Sequence, residues 1–356
     1  MRSWRLWLAG ACFGVAACDA IRIPGAEERP ADAVSQDTSA PDKESAVIET
    51  APQPAPEPIA ETPDAPAARA IGSLAEINAA LCGPVLEDAA TIAALTGAEP
   101  EPAGGFRLEA VNADAANRGD FPGIVKLEPK EDLDTGGIAS GHCGATRIAE
   151  RWLVTAAHCL DGEYDRIELV AGAETLSAPT AVRIEGEAAF CHAGYGGSRG
   201  SYANDLALIR LSQDVADELG ALVPIASYSE TVRPLTPANY TTARMAGWGL
   251  TAFSGRLSNE LLTAELILAS VGPSAISIAS RAGAGPCIGD SGGPLYVDEE
   301  DGARVLVGVL SVVEANDEGA FCEGLYNGRY TNLQGFRDWI DGVISACTAG
   351  QAGCQR

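Results

Sequence analysis

The chain has 356 residues, 46% of them hydrophobic and 21% charged, with a formal net charge of −25 and a pI near 4.4. Such acidity argues against a nucleic-acid partner and offers no basic surface to anionic lipid headgroups. No Cys/His cluster has metal-ligand spacing, no phosphate-cradling loop occurs and no internal repeat is seen, so neither metal nor cofactor is expected.

Residues 1–17 begin with a short basic head and continue as the apolar segment Leu6 to Ala17. That segment is too short for a permanent membrane span and fits a signal peptide. It ends in Val15-Ala16-Ala17-Cys18, which resembles the lipobox of bacterial lipoproteins, where the cysteine carries lipid and becomes the mature N-terminus. The alternative is an ordinary cleaved signal with an incidental cysteine. The expected localisation is the bacterial cell envelope, facing the periplasm on a lipid anchor at Cys18, or secretion. Residues 18–70 hold nine prolines between Pro24 and Pro66 and few large apolar groups. They cannot bury enough surface to offset the entropy of ordering, and read as a disordered tether reaching about 40 Å as a coil. Ser73 and Glu76 form a capping box opening a helical stretch to about Leu95, broken at Gly83-Pro84. Residues 71–107 are thus a helical pro-segment or an N-terminal extension.

From Phe121 the pattern changes to short apolar runs punctuated by Gly and Pro: 124–127, 152–155, 167–170, 206–211 and 305–313. This spacing predicts antiparallel β-barrels. Leu333, Phe336, Trp339, Ile340, Val343, Ile344 and Cys347 then fall on one face of a closing helix, followed by a tail over 348–356.

The chemistry centres on Gly289-Asp290-Ser291-Gly292-Gly293-Pro294-Leu295. Ser291 lies between glycines that leave it accessible, and a serine hydroxyl attacks only when a base takes its proton and a carboxylate holds that base. Of three histidines, His158 lies in Thr155-Ala156-Ala157-His158-Cys159, directly after an apolar run, and Asp205 opens the run Leu206 to Leu211. Singly, each has a bland reading as a packing residue, turn chemistry or a glycine loop. Together with Ala246-Gly247-Trp248-Gly249, and in this order, they resemble the chymotrypsin (trypsin-like) family of serine endopeptidases, from about Phe121 to Trp339. Gly289 to Gly293 also fits the G-x-S-x-G elbow of α/β-hydrolases, but those enzymes run Ser, acid, His, and here the order is His, Asp, Ser.

The resemblance implies an all-β fold over residues 108–347: two antiparallel six-stranded β-barrels packed face to face, with a C-terminal helix. It implies a catalytic triad of His158, Asp205 and Ser291, an oxyanion hole from the N–H groups of Gly289 and Ser291, and protein or peptide substrates. It pairs Cys143 with Cys159 and Cys287 with Cys322, each bridge stabilising by about 3–4 kcal/mol. Cys82, Cys191, Cys347 and Cys354 remain, with three possible connectivities. His142 and His192 are expected to be structural. In the family a freed Ile-Val-Gly-Gly N-terminus pairs with the aspartate before the serine, here Asp290. This chain reads Arg107-Leu108-Glu109-Ala110-Val111-Asn112-Ala113-Asp114 at that place, with neither glycine. If nothing replaces that ammonium, Asp290 becomes a costly unpaired charge. The specificity pocket falls to Gly285, Pro286, Ile288, Val313 and Gly328. With no acid at its floor, small or aliphatic side chains are expected rather than Lys or Arg, as in elastase. Two other classes compete: a catalytically silent protease-fold binding module tethered at the envelope, favoured by the missing N-terminal motif, and a structural envelope lipoprotein.

Overall fold

The computed structural model describes residues 113–350 apart from Thr135, Glu163, Phe253 and Ser254, together with Cys354. The signal peptide, tether and pro-segment expected over 1–107, with Cys18 and Cys82, lie outside the described residues, as does the stretch 108–112.

A two-residue strand, β1 (Asp114–Ala115), is followed by β2 (Ile124–Asp132), β3 (Ile138–Ser140), β4 (Cys143–Ala149), β5 (Trp152–Thr155), β6 (Arg166–Ala171), β7 (Val182–Glu185), β8 (Ala188–Cys191) and β9 (Ala207–Arg210). β2 to β9 form one antiparallel sheet in the order β7-β6-β2-β4-β5-β9-β8, with β3 added to β2. It curls into a half-barrel of eight strands rather than a closed barrel of six. The gap between β7 and β8 is crossed by their connection: Gly186 N–H bonds Ile167 O on one side and Glu187 N–H bonds Arg210 O on the other. A Cβ on Gly186 would lie 2.9 Å from Ile209, so only glycine allows the chain to run this close over the core. Side chains alternate across the sheet. Val125 and Leu127 join Leu153, Leu169 and Ile209 inside the half-barrel, while Ile124 faces the other way.

The second half contains β10 (Thr242–Gly247), β11 (Leu262–Val271), β12 (Ala275–Ser280), β13 (Pro294–Asp298), β14 (Arg304–Val313) and β15 (Asn327–Asn332). These six close on themselves, in the order β11-β10-β13-β14-β15-β12 and back to β11, with β1 added at β11. Met245, Leu266, Ile276, Leu295 and Val307 fill the interior. A third cluster joins the halves face to face, with Ile124, Trp152 and Phe190 from the first and Trp248, Tyr296 and Val309 from the second.

The halves are linked through helix α1 (Gln213–Leu222), which the strand-dominated sequence pattern did not anticipate. Its signals are local. Ser212 accepts from Val215 N–H as N-cap, and Ala216 and Leu219 are buried one turn apart against the half-barrel core. The closing helix α2 (Arg337–Thr348) follows a tight turn at Leu333–Phe336 and presses Leu333, Phe336, Ile340 and Val343 into the cluster between the halves. A disulfide from Cys347 to Cys354 ties down the tail.

Candidate active site

His158 lies on a single 3₁₀ turn (Ala157–Leu160) just after β5, and Asp205 just before β9, the strand paired with β5. The pairing brings them together. Asp205 is fully buried; its Oδ2 is 2.7 Å from His158 Nδ1 and its Oδ1 accepts the His158 backbone N–H at 2.9 Å. A third donor, Ser311 Oγ on β14, reaches Oδ2 at 2.7 Å, and Thr331 Oγ1 anchors the Asp205 carbonyl at 2.8 Å. A carboxylate at Nδ1 fixes the proton there and makes Nε2 the unprotonated nitrogen that can accept a proton. The residues before Asp205 are held left-handed at Ser201, Tyr202 and Asn204, an uncommon state for non-glycine residues, and set the Tyr202 ring edge-on to His158 at 5.6 Å.

Ser291 sits on the turn entering β13, tied to both other segments. Its carbonyl accepts Gly144 N–H at 2.7 Å, and Gly144 O accepts Thr155 Oγ1 at 2.8 Å, three residues before His158. The next residue, Gly292, donates to Leu310 O at 2.8 Å, beside the Ser311 that bonds Asp205. Cys287 to Asp290 forms a β-turn closed by Asp290 N–H on Cys287 O at 3.0 Å, with Gly289 at φ +90°. Positive φ at the third position is the mark of a type II turn and calls for glycine. The central carbonyl, Ile288 O, accepts Leu250 N–H at 2.7 Å, so in a trans peptide the Gly289 N–H points the opposite way. Among the described residues neither the Gly289 nor the Ser291 N–H has an acceptor.

Asp290 points away from solvent under this turn. Its carboxylate accepts Gly249 N–H at 2.7 Å and Cys287 N–H at 3.0 Å. A Cβ on Gly249 would fall 2.4 Å from Asp290 Cγ and Oδ2, which explains the second glycine of Gly247-Trp248-Gly249. Burial pushes the Asp290 carboxyl up to about 6, against the pull of its two backbone bonds and of the Lys126 ammonium. His142 lies against Gly289, and burial together with Lys126 lowers its basicity. His192 packs edge-on to Phe336 and Trp339.

Val313 on β14 pairs directly with Gly328 on β15. Gly285 faces the Tyr326 hydroxyl, 2.7 Å from where a Cβ would stand, and that hydroxyl donates to Pro286 O at 3.0 Å. Ile288 is 36% exposed on the turn before Gly289. Disulfides join Cys143 to Cys159, under His158, and Cys287 to Cys322, at the nucleophile turn. Cys143, His158 and Cys159 lie close enough to resemble a metal-ligand group, but the two sulfurs are bonded to each other and neither is a thiolate. Cys191 is disulfide-bonded too, and none of the other described cysteines is its partner.

Sequence reasoning missed three neighbours of the site. Ser311, two residues before the expected pocket residue Val313, donates to Asp205; Tyr326 stands over Gly285; and Lys126 lies inside an apolar strand. A lone charge within the otherwise apolar run 124–127 was the available signal for Lys126.

The sequence profile described as Trypsin matches residues 110–340. The chain is 28% identical to the serine protease Hayan of Drosophila melanogaster over 66% of its own length and 39% of that protein. It is 35% identical to human granzyme M over 48% of its length and 68% of the relative, and 30% identical to human chymotrypsin-like elastase family member 3A over 57% and 78%. Of Hayan, therefore, the chain spans only about two fifths.

Proposed function

The chain belongs to the trypsin family of serine proteases, and we propose that within it the protein is a working endopeptidase with Ser291 as nucleophile, His158 as base and Asp205 as the acid that orients it. His158 Nε2 takes the Ser291 proton as Oγ attacks the peptide carbonyl. The charge that develops on the imidazole is offset by Asp205, which is why a buried carboxylate with three donors matters. The carbonyl oxygen, now negative, is received by the Gly289 and Ser291 N–H groups, worth about 3–4 kcal/mol per donor in comparable sites. The tetrahedral species collapses as His158 returns the proton to the leaving amine, and a water activated by the same histidine then hydrolyses the acyl-enzyme. The observation that carries this reading is the pair of hydrogen bonds that buried Asp205 accepts from His158, from Nδ1 at 2.7 Å and from the backbone N–H at 2.9 Å.

The pocket reading extends to preference. Val313 stands where the family usually has glycine, beside its strand partner Gly328, and would narrow one side, while a floor of Gly285 capped by Tyr326 carries no charge. This favours small or aliphatic side chains over Lys and Arg. At the other end of the chain, lipidation at Cys18 and the tether would hold the protease at the envelope; a Cys18→Ala variant released into the soluble fraction would agree, and an unchanged distribution would not.

The test is fluorophosphonate labelling of the purified, signal-free protein, wild type against Ser291→Ala, before and after limited proteolysis near Arg107. Labelling that depends on Ser291 is expected. No labelling in either state would overturn the enzyme reading and leave a tethered binding module.

A further inference from the structure

Lys126 occupies the middle of β2, between Val125 and Leu127, which fill the half-barrel. Alternation sends it with Ile124 to the opposite face, toward the second barrel, where its side chain is only 1% exposed. There its ammonium donates to Gly289 O at 3.2 Å. The neighbouring residue on that turn, Asp290, is a buried carboxylate held by two backbone N–H groups. One short turn thus carries a buried positive charge on one side and a buried negative charge on the other. Each would be expensive alone, and removing one partner would leave the other uncompensated. The charged and titratable groups facing Lys126 are Asp290 from the turn, Glu128 on its own strand and His142 ahead of β4. Glu128 is already engaged by Lys130 and Arg183, whereas among the described residues Lys126 is the cation whose charge bears on Asp290.

We propose that Lys126 is the positioning residue of the nucleophile turn: its ammonium supplies the positive charge opposite Asp290 and pins the Gly289 carbonyl, so that the Gly289 and Ser291 N–H groups stay aimed outward without a newly cut N-terminus. The carbonyls of Ile288 and Gly289 are then both clamped, by Leu250 N–H and by Lys126 Nζ, and rotation of either peptide breaks a hydrogen bond in a dry site. This deepens the endopeptidase reading and rests on it. It also accounts for a chain that reads Leu108-Glu109-Ala110-Val111 where the family has Ile-Val-Gly-Gly.

The experiment uses the signal-free chain with Arg107→Gln to block cleavage there, and compares wild type, Lys126→Met and Lys126→Arg for the rate of fluorophosphonate labelling between pH 6 and 10. Wild type is expected to label uncleaved. Its rate should fall as pH rises past about 8, where the buried ammonium loses its proton. Lys126→Met should label about 100-fold more slowly at pH 7, the scale of losing one oxyanion donor. Lys126→Arg should recover much of the rate and move the alkaline fall upward. A Lys126→Met protein that labels within threefold of wild type, with the same alkaline fall, overturns the proposal while leaving the protease reading intact. A chain with Arg107 retained that labels only after cleavage also overturns the proposal, whereas one that labels neither before nor after cleavage overturns the protease reading instead. Thermal melts of Lys126→Met, Asp290→Asn and the double variant test the charge pair without any activity: a double variant more stable than Lys126→Met is expected, and one melting as low overturns it.

Discussion

Ser311→Ala removes one of three donors from a carboxylate with no access to water. Asp205 accepts from His158 Nδ1, from the His158 backbone and from Ser311 Oγ, the last at 2.7 Å. Alanine removes only the hydroxyl, so the oxygen loses a charge-assisted bond. Such bonds contribute about 1.5–3 kcal/mol. At about 2–4 °C per kcal/mol for a domain of this size, the melting temperature should drop by about 3–12 °C. Activity should fall further than stability requires, because the charge on Asp205 is needed most when His158 becomes an imidazolium; a loss of about tenfold or more in kcat/KM with KM little changed is expected. Differential scanning calorimetry and hydrolysis of an aliphatic peptide anilide read the two effects. A Ser311→Ala protein with the wild-type melting temperature and kcat/KM would refute the view that this hydroxyl sustains the buried carboxylate.

Asp205→Asn should keep the fold, measured by circular dichroism, but lower kcat by about 10⁴-fold, because an amide donates to Nδ1 and reverses the tautomer. Val313→Gly should widen the pocket and shift preference toward larger apolar residues in a peptide-library cleavage assay; an unchanged profile would remove Val313 from the pocket. The Asp290 carboxyl, at about 6, lies above its ordinary 3.8. Its contribution to stability is therefore fullest below pH 4 and is lost as pH rises through 6, so melting curves of wild type should slope downward across that window and those of Asp290→Asn should not. Among the described residues Cys191 is disulfide-bonded while Cys347 pairs with Cys354; if Cys12 leaves with a signal and Cys18 carries lipid, as proposed, the expected partner of Cys191 is Cys82. Non-reducing peptide mapping should find that bridge, and a free Cys82 thiol would exclude it.

The chain's local grammar was legible because each signal is short in range. Short apolar runs punctuated by Gly and Pro place β2, β5, β6, β9 and β14, of which β2, β5, β9 and β14 are buried on both faces, and the spacing of Phe336, Ile340 and Val343 places α2, which buries one. The order His158, Asp205, Ser291 is equally a property of the string. What the string could not show is which distant residues share a dry pocket. The bridging of the gap in the first sheet depends on Gly186 passing close over Ile167 and Ile209, a contact between strands far apart in sequence. Ser311 becomes a donor to Asp205 only because β14 passes beside β5 and β9, 106 residues after the carboxylate it serves. Lys126 reads as an interruption of an apolar strand until the second barrel brings the Gly289 turn over it, 163 residues on. Patterns of burial follow from neighbours along the chain, but the compensation of a buried charge depends on what tertiary packing brings within a few ångströms of it.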